Sequence, residues 1–158
     1  MVSVSNYSIF IVEQRRSDSS AYSGLNPILA GTSASTSSNL YVGYRSNTVF
    51  TVDHQGISQL NYAVSGYSTP TPAMHTVTFS ATVGKKYWSN GGVTADLTNS
   101  ATSSLVAYPG ATIGFYAGGR YYDGDIAEII IFTRVLTTEE RQAIESYLSQ
   151  KYNIQITG

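Results

Sequence analysis

The sequence predicts an all-β fold: an antiparallel two-sheet jelly-roll sandwich with one C-terminal α-helix. Three observations predict it. Short alternating or apolar runs recur between clusters of Ser, Thr, Gly and Asn, the spacing of strands joined by turns. Only one segment, near the end, repeats its apolar residues with a helical period. The 158 residues suffice for one sizeable core and not comfortably for two. Residues 1–158 are therefore expected to form a single domain.

Residues 7–16 (YSIFIVEQRR) read as a strand. Ile9, Phe10, Ile11 and Val12 are apolar without alternation, so both faces should be covered. A Ser-rich loop, a short strand over 27–31 and a Ser/Thr-rich loop follow. Residues 39–45, 48–53 and 57–63, joined through Ser46-Asn47 and Gln55-Gly56, form a three-strand meander. Residues 73–83 alternate most cleanly. His75, Val77, Phe79, Ala81 and Val83 should share one face toward the core, and Thr76, Thr78, Ser80 and Thr82 the other, toward a polar exterior or groove. The next strand, 85–89, ends at Asn90-Gly91-Gly92, which supplies positive-φ turn residues. Residues 98–104 read as a polar loop, and 111–116 and 123–132 as the last strands. Thr137 and Glu140 fit a capping box opening a helix over about 137–152. Its apolar stripe is Ile144, Tyr147, Leu148 and Tyr152.

Composition excludes several function classes. Only 12% of residues are charged and the net charge is −1, against a usual charged share of about 25%. Ser and Thr, about a quarter of the chain, fill the gap. No basic cluster exceeds Arg15-Arg16, too little for nucleic acid or a polybasic membrane anchor. No apolar run is long enough to insert in a membrane, and no signal peptide is visible. The absence of cysteine removes disulfide, thiolate-zinc and thiol-nucleophile chemistry.

The stretch 113–154 carries a resemblance. Gly124 to Glu128, the apolar strand 129–132, Arg134-Val135-Leu136-Thr137, Glu140-Arg141, Tyr147-Leu148 and Lys151-Tyr152 resemble the closing segment of laminin-G-like, concanavalin A-like domains of bacterial and viral proteins. Trp88 to Gly92 matches that family's hairpin loosely, and YSIFIVEQRR resembles its early core strand. The resemblance implies a lectin-like module on a secreted enzyme, adhesin or phage structural protein, hence an extracellular or virion-surface location. Family members usually carry an acidic loop upstream of the early strand that helps bind calcium. Residues 1–6 hold no counterpart.

Several constellations could carry chemistry. Asp123, Asp125 and Glu128 resemble the acidic motif of sandwich glucanases, in which two carboxylates stand about 5 Å apart. Regular strand geometry would put Glu128 on the face opposite Asp125, so no catalytic residues are assigned and the chain is expected not to be an enzyme. His54 and His75 are the only histidines, too few for a three-histidine metal site. Asp53-His54 with a serine would make a triad, but no nucleophile elbow accompanies it. No cofactor is required. Calcium, which takes six to eight oxygens, would use Asp123, Asp125 and Asp53. The strongest expectation is carbohydrate binding, in which aromatic rings meet the apolar face of a sugar and short polar groups meet its hydroxyls. The candidates are Tyr44, Arg45 and Asn47; Trp88 and Asn90; and Arg120, Tyr121 and Tyr122. The expected partner is a cell-surface or polymeric glycan, with neighbouring domains or subunits of a larger assembly. The alternatives are a ligand-free structural or spacer domain and a glycoside hydrolase.

Overall fold

Strand β1 (Asn6–Arg15) shows how the sequence builds the fold: Ile9, Phe10, Ile11 and Val12 are all buried, so both of its faces are covered, as its unbroken apolar run predicts. A computed structural model of the chain describes residues 5–17, 24–31, 39–55, 57–66, 69–104 and 110–157. The expected Ser-rich loops fall largely on 18–23 and 32–38, and Gly56 of the expected turn also lies outside the described residues. The further elements are β2 (Asn26–Gly31), β3 (Leu40–Ser46), β4 (Val49–His54), β5 (Ser58–Ala63), β6 (Ala73–Ser80), β7 (Gly84–Ser89), β8 (Leu97–Asn99), β9 (Ala111–Ile113), β10 (Phe115–Tyr116), β11 (Arg120–Tyr121), β12 (Gly124–Phe132) and α1 (Thr138–Tyr152). They form two five-stranded sheets, ordered β12-β1-β6-β7-β8 and β5-β4-β3-β2-β9, and a β10-β11 hairpin. Strand pairs β1-β6, β6-β7, β7-β8, β2-β3, β2-β9, β3-β4, β4-β5 and β10-β11 are antiparallel. The chain gathers into two compact units: Met1–Gln14, Thr71–Thr102 and Ile126–Gly158 form one, and Arg15–Pro70 with Ser103–Asp125 the other.

In the first unit, α1 covers one face of the sheet. Phe10, Val12, Met74, Leu136, Leu148 and Ile154 form its core, with Ile130, Phe132, Ile144 and Tyr152 against them. The helix begins as predicted. Thr137 accepts from the Glu140 backbone N–H at 3.2 Å, and the Glu140 carboxylate accepts from the Thr137 N–H at 3.0 Å. It ends on Asn153 in the left-handed region, φ 54°, which brings Ile154 back into the core.

Two expectations about faces are corrected here. Thr76 and Thr78 are buried rather than lining an exterior, because β6 lies centrally in its sheet and α1 packs on it, although Thr78 and Ser80 do line a groove. Strand β6 also stops at Ser80, so Ala81 and Val83 lie in a turn, and Val83 is exposed. On α1, Tyr147 is exposed, and its hydroxyl accepts from Lys151 at 2.9 Å. Arg141 and Glu145 are buried as well, 3% and 1% exposed. The expected stripe holds at Ile144, Leu148 and Tyr152, and an ionic pair shares the buried side of the helix with it. Opposite α1, the sheet carries a buried polar chain. His75 Nε2 lies 3.0 Å from Glu13 Oε1, and Nδ1 lies 2.7 Å from the Tyr87 hydroxyl.

In the second unit, β3-β4-β5 is the expected meander, with Tyr41 opposite Asp53, Thr51 opposite Asn61 and Asp53 opposite Gln59. Gly114, at φ 70°, breaks the expected 111–116 strand into β9 and β10. Two short strands, β8 and β11, lie where a loop or no strand was expected.

Candidate functional site

Alternation on β4 and β5 sets polar residues side by side. Thr51 and Asp53 face the same way as Asn61 and Gln59 across the ladder. The Thr51 hydroxyl donates to Asn61 at 2.7 Å. Arg45, at a register shift within β3 between Tyr44 and Ser46, donates to Asp53 at 2.9 Å. With its carboxamide oxygen turned toward Arg45, Gln59 accepts from Nε and Nη2 at 2.8 Å. Arg45, Asp53, Ile57, Ser58 and Gln59 line a shallow recess of about 320 Å³. It offers a guanidinium, a carboxylate, a hydroxyl and an amide beside one apolar wall. Tyr41, buried next to this row, donates to the Tyr44 carbonyl at 2.7 Å. Burial pushes its phenol well above the ordinary range, so it stays a neutral donor.

The other expected glycan residues lie elsewhere. Tyr44 is buried, edge-on to Phe50 with ring centroids 5.2 Å apart and the Arg15 guanidinium 4.1 Å over its ring. The Asn47 carbonyl accepts from Arg15 at 3.0 Å. Trp88 is 6% exposed, and the Arg141 guanidinium lies 4.1 Å over its indole. Asn90, at φ 58°, closes a turn: its side chain accepts from the Met74 N–H at 2.9 Å. Arg120 donates to the Ala117 carbonyl at 3.1 Å and lies 5.8 Å from the Tyr116 ring. Tyr121 is 55% exposed and packs on Phe115, with centroids 5.2 Å apart. The Tyr122 N–H donates to the Gly114 carbonyl.

Of the late acidic residues, Asp125 and Glu128 are engaged by cations. Arg16 grips Asp125 through two bonds, 2.6 and 3.0 Å. Lys151 and the Tyr152 hydroxyl donate to Glu128 at 2.9 and 2.8 Å, with Lys151 first in holding its carboxyl below the ordinary range. The Asp123 backbone N–H donates to Asn26 at 2.8 Å. Among the described residues, no three His, Cys, Asp or Glu side chains gather to hold a metal. That fits poorly with the expected calcium set, whose Asp53 and Asp125 already have guanidinium partners. His54 meets the Ser103 carbonyl at 3.4 Å, while Asp53 is taken by Arg45.

Sequence reading missed Thr51, Ser58, Gln59 and Asn61. The signal was present: polar residues two apart on adjacent strands of a meander that the sequence itself predicted. No protein-family model matches the chain, and no curated protein does. Solved structures do. Over 90% of this chain and 84% of theirs, it is similar to the CBM40 of a Ruminococcus gnavus sialidase, with 12% identity and a TM-score of 0.64. A mutant NanB sialidase from Streptococcus pneumoniae matches over 88% of this chain, with 14% identity and a TM-score of 0.63. The binding domain of botulinum neurotoxin serotype G matches over 92%, with 12% identity and a TM-score of 0.64.

The fold is the lectin-type jelly-roll sandwich.

The chain spans about a quarter of the NanB chain and about a third of the neurotoxin domain. These likenesses bear on fold. They support the broad lectin-type resemblance read from 113–154, not the laminin-G branch in particular.

Proposed function

We propose that this chain is a non-catalytic carbohydrate-binding module, and that the Arg45–Asp53–Gln59 recess is its glycan site. One observation carries the reading: donors and acceptors of planar geometry converge on a shallow surface with one apolar wall. Adjacent sugar hydroxyls each donate and accept, so a guanidinium, carboxylate and amide in one row can bind a vicinal pair. Ile57 would meet ring C–H groups. Affinity would be weak at one site, with repetition on a larger assembly supplying avidity.

The fold neighbours support this reading. The Ruminococcus gnavus CBM40 is seen bound to α2,3 sialyllactose, and cell entry of botulinum neurotoxin type C depends on interaction with two ganglioside molecules. The bacterial and viral resemblance supports display on a phage virion or bacterial surface protein, outside the cell. The site as read uses no metal.

The test is a glycan array probed with a multimerised form. Binding to a subset of glycans is expected, and Arg45→Ala and Asp53→Asn should each weaken it at least about tenfold, the size of one charge-assisted hydrogen bond. Excess EDTA should leave it unchanged. A silent array with well-folded protein would favour a ligand-free structural role instead.

A further inference from the structure

We propose that a groove on the helix-covered face of the first unit is a second ligand site, taking a small monocarboxylate on an apolar body. The groove has a volume of about 210 Å³. Val83, Val135 and Leu136 form its apolar walls, with Trp88, Lys86 and Thr78 among its polar members. Val83 and Val135 are exposed, so a ligand's apolar body would remove hydrocarbon from water.

Charge selects the ligand's other end. No Asp or Glu lines the groove. Arg141 lines it, but its charge is matched by Glu145 at 2.5 Å. Lys86 is exposed and has no hydrogen-bond or ion-pair partner among the described residues. One net positive charge therefore remains, which suits a monoanion better than a phosphate dianion. Trp88 also lines the groove, and its indole N–H is buried with no acceptor among the described residues, a state that ordinarily costs a protein stability. A neutral polyol would leave Lys86 unmatched and place hydroxyls against valine. The volume admits on the order of ten non-hydrogen atoms, so affinity should be on the order of millimolar.

Trp88 is the sole tryptophan, so its indole N–H gives one resonance of its own in a nitrogen–proton correlation spectrum. Cyclohexanecarboxylate should shift that resonance saturably. Cyclohexanecarboxamide, of equal size and no charge, inorganic phosphate and glucuronate should move it far less. Lys86→Gln should weaken cyclohexanecarboxylate at least about tenfold; Lys86→Arg should retain it, and Arg45→Ala should have no effect. Lys86 is a surface residue, so the variants should fold, and their backbone spectra check that. An unmoved indole resonance, equal shifts from acid and amide, stronger binding of glucuronate, or an unaffected Lys86→Gln variant would each overturn the proposal. A silent glycan array would leave this site standing, and a failure here would leave the array result standing.

Discussion

At the level of single residues, the structure shows which side chains act as a unit. The capping box at Thr137 and Glu140 is one. Removing the hydroxyl with Thr137→Ala should cost about 1 kcal/mol, read as a lower urea midpoint. Glu140 adds a pH dependence. Arg134, bonded to it at 2.6 and 2.7 Å, is the first cause holding its carboxyl down at about 2, with the Thr137 backbone second. A carboxyl depressed in the folded state stabilises above its unfolded pKa, and that contribution fades as pH falls through the folded value. The stability difference between wild type and Glu140→Gln should therefore be full above pH 4.5 and shrink toward pH 2. Glu145 runs the other way. Burial, the largest cause, lifts its carboxyl above the ordinary range despite Arg141, so its ionisation weighs against the fold as pH rises past its unfolded value. Thermal melts of Glu140→Gln and Glu145→Gln across the acid range should slope in opposite senses relative to wild type.

Among elements, α1 and the turns show how close packing replaces propensity. The Arg141–Glu145 pair lies under the helix with the Trp88 indole against it. Arg141→Ala strands a buried carboxylate and should cost about 3–5 kcal/mol, whereas replacing both by Met and Leu should be near neutral. A double-mutant cycle by urea denaturation would resolve the coupling. Gly84 is a second fixed point. At φ 96° an added Cβ would stand 2.1 Å from the Asn99 carbonyl oxygen. Gly84→Ala should thus destabilise by about 1–3 kcal/mol and loosen β8 from β7, visible as faster amide exchange at Lys85, whose N–H faces β8. Most elements could be read from sequence where period and punctuation agreed: the meander, β1, the helix and its cap. The errors have physical causes. The alternation in 73–83 implied a polar outer face, yet a helix far along the chain buries Thr76 and Thr78. The helical stripe missed Arg141 and Glu145 because a charged pair at i,i+4 looks like a solvated face until its burial is known. Tyr44 and Trp88 were plausible as sugar platforms because aromatic type is visible in sequence, whereas the guanidinium covering each ring is not.

For the whole molecule, the chain holds its fold without cysteine, and two of the three expected calcium ligands, Asp53 and Asp125, are drawn into ion pairs. A ligand that binds only the folded state raises its melting temperature by mass action. Calcium and EDTA should therefore leave the melting temperature unchanged, and a rise with calcium would show a site that the ion-paired carboxylates do not suggest. What specifies a single packing must come instead from shape and from buried polar geometry. The line Glu13–His75–Tyr87 is such a device. The imidazole sets one ring nitrogen on each neighbour, Nε2 on the Glu13 carboxyl and Nδ1 on the Tyr87 hydroxyl. Each member orients the next, and losing one leaves another's polar atom short of a partner in a dry interior. Over evolutionary time such a trio behaves as one inherited character: a descendant that exchanged the imidazole for a hydrocarbon would be expected to have shed the acid and the phenol in company with it.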